Sequence, residues 1–154
     1  MRKKTGRQDQ IYKKTSMSPK AIKCLTDVFV VSENGELFRL DTQNLVWNQK
    51  ARCPGNLHRS SVAAGDGKIL ACRGRDSCFV YTVDEDTWIT GNLPHHQHYA
   101  GGLVWINDSF LFLGGAHADD VEEYDIESDT WKEAEFKCPM MNDFVHAFAV
   151  KMPV

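Results

Sequence analysis

Three tryptophans constrain this chain more than anything else in it. Trp47, Trp88 and Trp131 stand 41 and 43 residues apart. Self-similarity at about 40–45 residues means that one small unit is stacked several times, so the repeat must be read before any single element. Each Trp closes a related segment: Leu37 to Trp47, Cys78 to Trp88 and Val121 to Trp131. Seven residues before each Trp stands a large side chain, Leu40, Tyr81 or Tyr124, and a polar cluster between the two marks a hairpin turn.

Upstream in each unit lies a short apolar run, at 28–31, 69–72 and 110–113. Four residues are too few for a helix, and turn signals flank each run, so strands are predicted. Apolar residues at successive positions require cover on both faces, as in sheets stacked on sheets. Two further strands are predicted at Ser60–Ala64 and Gly101–Trp105. Each leads through a Gly, Asn or Asp turn into the next run. Pro54, Pro94 and Pro139 follow the tryptophans and are expected to end the outermost strand, because proline cannot donate to a ladder. The unit is therefore four antiparallel strands in roughly 42 residues, the pattern of a propeller blade. The predicted class is all-β, with about three blades and an incomplete ring. The repeats fall at about 24–54, 55–94 and 95–139, and 140–154 is expected to open a further blade.

Charge divides the chain differently. Residues 1–23 carry eight basic side chains and one acid, net +7, while 24–154 carry net −10. The first segment reads as a disordered basic linker, 1–23, and the second as the folded body. No apolar run reaches the roughly 18 residues of a membrane span, and no apolar core follows the basic N-terminus. The five cysteines contain no CxxC pair. They are expected as reduced thiols in a protein of the cytoplasm, or of the nucleus.

The third unit carries Phe110-Leu-Phe-Leu-Gly114-Gly115, then Tyr124, then Trp131. This resembles the Kelch repeat, whose units show an apolar strand ending in a Gly-Gly doublet, then a Tyr, then a Trp. The second unit departs from the pattern with Arg73-Gly74 at the doublet. The first departs further, with Ser32-Glu33 there and Leu40 at the Tyr position. The resemblance covers about residues 24–150. It implies a partial Kelch propeller, expected as a piece of a longer BTB–Kelch protein. Gly114 and Gly115 are expected to pass close to a neighbouring blade, and Trp47, Trp88, Trp131, Tyr81 and Tyr124 to fill the seams between blades.

The resemblance also implies a partner surface on the loops at one end of the ring. By position these are Ser32–Glu36, Arg73–Ser77, Ala116–Asp120, Pro54–Arg59, Pro94–Tyr99 and Met140–Asp143. Arg59, Arg73 and Arg75 within them could form a basic spot for an acidic or phosphorylated peptide, since the guanidinium fork suits carboxylate and phosphate. The alternative is that they pair with nearby acids such as Asp76. His95, His96 and His98 share one loop. No Cys or carboxylate lies near them at ligand spacing, so no metal centre is predicted. They are read as exposed contact residues beside Tyr99 and His117. The acidic run from Asp119 to Asp129 is read as a solvated strand face.

No nucleophile elbow, phosphate-cradling glycine loop or HExxH stands in the sequence, so no enzyme and no cofactor are predicted. The expected function is protein–protein interaction, with no nucleic-acid or membrane partner. By family resemblance it is the substrate-recognition part of a cullin-RING ubiquitin ligase adaptor, reaching the cullin through a domain absent from this chain. An actin or cytoskeletal scaffold is the second reading, and a Kelch-propeller oxidase the third.

Overall fold

A computed structural model describes residues 19–116, 118–139 and 147. The fold is all-β. Among the described residues, twelve strands form three four-stranded antiparallel sheets, each a simple meander, and the sheets do not close on themselves. The first sheet holds β1 (Lys20–Cys24), β2 (Asp27–Val31), β3 (Leu37–Asp41) and β4 (Val46–Lys50). The second holds β5 (Ser61–Gly65), β6 (Lys68–Arg73), β7 (Ser77–Thr82) and β8 (Thr87–Thr90). The third holds β9 (Gly102–Ile106), β10 (Ser109–Leu113), β11 (Val121–Asp125) and β12 (Thr130–Glu133). These are the three blades. The further blade expected to open over 140–154 lies outside the described residues, Ala147 excepted.

Local chemistry explains the turns. The β5–β6 hairpin turns at Asp66 and Gly67, and the β9–β10 hairpin at Asn107 and Asp108, all four with positive φ. Two-residue hairpins need that left-handed backbone, which Gly, Asn and Asp adopt most readily. Asp41 and Asp125 accept backbone N–H groups two and three residues on, capping the outer β3–β4 and β11–β12 turns.

Blades pack face to face, with the inner strands β1, β5 and β9 side by side. Strand alternation gives blade 2 two working faces. Ile69, Ala71, Phe79 and Tyr81 pack on Phe29, Val31 and Leu37 of blade 1. Leu70, Cys72, Cys78 and Val80 pack on Phe110, Phe112, Tyr124 and Trp131 of blade 3. The apolar runs without alternation are thus strands covered on both sides.

Each seam is closed by the same set of polar contacts. Between blades 1 and 2, Tyr81 donates its hydroxyl to Asp86 at 2.6 Å, and the Ala51 N–H donates to the same carboxylate oxygen at 2.8 Å. Trp88 returns its indole N–H to the Ala51 carbonyl at 2.9 Å. Between blades 2 and 3, Tyr124 donates to Asp129 at 2.7 Å, the Asn92 N–H donates there at 2.7 Å, and Trp131 donates to the Asn92 carbonyl at 2.8 Å. Burial, reinforced by the Asp contacts, pushes both Tyr hydroxyls well above their ordinary range. Burial works against the Asp86 charge, yet the Ala51 and Tyr81 donors hold its carboxyl below the usual range. Trp47 is 37% exposed, and its indole N–H has no acceptor among the described residues. Blade 1 has Leu40 and Leu45 where the other blades have Tyr and Asp, so it offers only the Trp of this set.

Four expectations change. The first blade starts at Lys20 rather than residue 24, because Lys20–Cys24 pairs with β2 and puts Cys24 into the core. The tail of the basic segment is therefore strand, with Lys23 on the solvent side and the half-buried Lys20 on the same side as Ile22 and Cys24. The outer strands end at Lys50, Thr90 and Glu133, before the prolines are reached. The Gly114–Gly115 doublet approaches its own blade. A Cβ on Gly115, where φ is +115°, would stand 2.8 Å from the Tyr99 carbonyl on the lead into β9. Finally, Cys72 and Cys78 are joined by a disulfide, because β6–β7 pairing sets them directly opposite each other. Cys24, Cys53 and Cys138 are free and buried, and burial raises the Cys24 and Cys53 thiols to about 11.

Three outcomes follow. Trp131 is 7% exposed, and Trp131→Ala should lower unfolding free energy by about 3–5 kcal/mol in urea titrations. Asp129→Ala should cost about 1–3 kcal/mol, because it strands the Tyr124 hydroxyl and the Asn92 N–H. Thiol titration of the denatured, unreduced chain should count three cysteines, and five after reduction.

Candidate functional site

The loops that end the blades bring two groups of polar side chains together. The first is built on the 94–99 loop between β8 and β9. Its sequence His-His-Gln-His is organised by a carboxylate distant in sequence, Glu122 on β11. One Glu122 oxygen accepts the His95 N–H at 2.8 Å and lies 2.8 Å from His95 Nδ1. The other accepts the His96 N–H at 2.8 Å and lies 2.9 Å from His98 Nε2. Both Glu122 and His98 are fully buried.

The His98 ring is fixed by its partners. Its Nδ1 lies 2.8 Å from the Gly114 carbonyl, and its Nε2 faces the Glu122 carboxylate. Burial would raise the Glu122 carboxyl, but the His98 contact and the two backbone N–H groups together bring it down to about 2. The His98 ring stacks on Phe112 at 4.5 Å between centroids. A buried carboxylate is sustained only when its lone pairs are satisfied, and here each Glu122 oxygen has two partners.

Two expectations are corrected here. His98 is buried, not an exposed contact residue; His95 and His96 are the accessible members of the loop. Glu122 does not belong to a solvated face. It shares the seam side of β11 with Tyr124, and strand alternation leaves Glu123 on the opposite side. No local spacing in the sequence links Glu122 to the histidines, because pairing within blade 3 creates the contact.

The second group surrounds a cavity of about 410 Å³ along the inner strands. Lys20, Arg59, Ser60, Ser61, Gly101 and Gly102 are among its lining residues, and no acidic side chain is among the described ones. Arg59 has positive φ (58°) and donates to the Tyr99 hydroxyl, with its guanidinium carbon 5.8 Å from that ring's centroid. Ser60 Oγ is buried without a hydrogen-bond partner. Burial pulls the Lys20 ammonium below its ordinary range, and Glu33 only partly offsets this. Lys20 and Ser60 were not singled out in the sequence.

The three arginines take different positions. Arg73 pairs with Asp76 at 3.3 Å, in a geometry that leaves its Nε without a hydrogen bond. Arg75 is exposed, and its backbone N–H donates to Gln97 Oε1. Arg59 and Tyr99 stand together. His117 and the Met140–Asp143 loop lie outside the described residues. Among the described residues no helix is long and apolar enough to cross a membrane. No family model and no curated protein matches the chain.

Glu122 provides a test. Its depressed carboxyl stabilises the fold fully above the ordinary carboxylate range near 4.5, and this contribution falls away as pH drops toward about 2. Glu122→Gln should cost about 1–3 kcal/mol at neutral pH, because it removes one of the two carboxylate oxygens that hold the 94–99 loop and the buried His98 ring. It should also flatten the acid limb of a plot of melting temperature against pH.

Proposed function

We propose that the chain is part of a Kelch-type propeller that binds a protein partner on its loop face. The partner segment carries acidic or phosphorylated side chains. The observation that carries this reading is the Arg59 cavity, where two cations and an unpartnered buried hydroxyl line one space with no acid among the described lining residues. A carboxylate or phosphate brought there by a partner would supply the missing acceptor and negative charge. Tyr99 holds the guanidinium in place beforehand, so less side-chain freedom is lost on binding. Arg75, exposed on the same chain of loops, extends the basic surface, and Arg73 is already engaged by Asp76.

The Kelch reading is supported by the repeated blade, the Gly114–Gly115 doublet and the Tyr–Trp spacing. The role as substrate-recognition part of a cullin-RING ubiquitin ligase adaptor follows from that resemblance, with the ligase contact made by another domain. Nothing in the described residues favours filament binding or oxidase chemistry over it.

A fluorescein-labelled Asp/Glu-rich peptide, with its Ser-phosphorylated counterpart, serves as the probe in anisotropy titrations. Arg59→Glu should weaken binding at least about tenfold, and Arg75→Glu by less, with a steep loss of affinity as salt rises. Arg73→Glu should have the smallest effect. Equal binding by the wild type and Arg59→Glu would remove the cavity as the acceptor of the acidic segment.

A further inference from the structure

We propose that a second copy of this chain docks its blade 1 on the outer face of blade 3, and that two copies close both faces at once. The internal seams show what each face is built to meet. At each seam a row of three paired side chains from the later blade lies on the blade before it. Blade 2 supplies Ile69, Tyr81 and Trp88, and blade 3 supplies Phe110, Tyr124 and Trp131. Blade 1 has the same row, Val28, Leu40 and Trp47, on the side turned away from blade 2. On the far side of blade 3 stand Val104, Leu111 and Leu113. None of these six belongs to either packed core of the described residues.

Three observations favour a copy of this chain as the occupant. The first is continuity with the internal seams. Both send the Trp indole N–H to the carbonyl of the residue four positions after the preceding Trp, Ala51 or Asn92. In blade 3 that position is Glu135, whose N–H and carbonyl have no backbone partner among the described residues. Trp47 holds the matching unused donor, so the two ends of the stack carry the two halves of one seam contact. The second is charge. Residues 102–133 hold nine acids and one base, while 20–50 hold four of each. Two blade 3 faces repel, whereas blade 1 can approach blade 3 without that cost.

The third is area. Four strands of about five residues make a face of about 19 Å by 16 Å, so one seam covers about 600 Å² counting both sides. Two seams reach about 1,200 Å², where stable specific interfaces begin, and one seam falls short. A closed pair of copies is therefore favoured over an open string. Leu40 and Leu45 stand where the internal seams have Tyr and Asp, so the joint between copies is more apolar, holds fewer polar contacts and is reversible. None of the six face residues lines the Arg59 cavity, and the pairing does not depend on the acidic-segment reading.

Sedimentation velocity of the full chain at tens of micromolar tests this, and a dimer in equilibrium with monomer is expected. Trp47→Glu spoils one face and Leu111→Glu the other. Both side chains are at least partly exposed, so each variant should keep the wild-type circular dichroism. Alone, each should raise the dimer dissociation constant at least about tenfold. Mixed in equal amounts they should form a dimer again, weaker than the wild type, because the intact blade 1 of one meets the intact blade 3 of the other. A monomeric wild type, a dimer that survives in either variant alone, or a mixture no more associated than its components would overturn the pairing. Growth beyond the dimer would overturn the closure.

Discussion

The stack depends on one carboxylate oxygen at each seam. Asp86 and Asp129 each gather a tyrosine hydroxyl from their own blade and a backbone N–H from the blade before. The tryptophan then returns a donor to the carbonyl of that same upstream residue. Sheet faces coated with Val, Leu, Ile and Phe would pack in many registers, because hydrophobic attraction has no direction. The polar contacts select one. They fix how far each blade slides along its neighbour, and every loop position depends on that registration.

Blade 3 shows how the same logic reaches the loop face. Strand β11 points Tyr124 and Glu122 to one side, so the residue that completes the seam and the one that organises the histidine loop lie two positions apart. Tyr124 serves the outer part of the blade and Glu122 the end. Phe112 touches both systems, stacking on His98 and tilting against Trp131 at 6.0 Å. Changes in the loop are therefore mechanically connected to the packed seam.

Much of the architecture was legible in the sequence, for a physical reason. The Trp spacing, the apolar runs covered on both faces and the Asp-Gly and Asn-Asp turns are local signals, and each led to a strand or hairpin close to where it was expected. Lys20–Cys24 was obscured because its two lysines fall on opposite faces and interrupt the apolar side formed by Ile22 and Cys24. The Cys72–Cys78 pair was missed because cross-strand register, rather than a short spacing motif, brings the sulfurs together. The site was less legible. Arg59 and Tyr99 were found from their loops, but Lys20, Ser60 and Glu122 act through neighbours far away in sequence. Glu122 in particular sits in a run of acids that composition alone assigns to solvent.

The seam contacts are also lopsided. The set that repeats at both seams draws its side chains, Tyr, Asp and Trp, from the later blade. The earlier blade contributes main-chain atoms to that set, at Ala51 and Asn92, and adds one side chain at each seam: Lys50 Nζ stands 3.2 Å from Asp86 Oδ2, and the Asn92 side-chain amide donates to the Asp129 carbonyl at 2.8 Å. Any amino acid but proline can present an N–H and a carbonyl there, so the upstream loop can drift in sequence without spoiling the joint. An array built this way tolerates duplication or exchange of whole blades, since each new copy carries its own half of the fastening and finds the other half in the backbone of whatever precedes it.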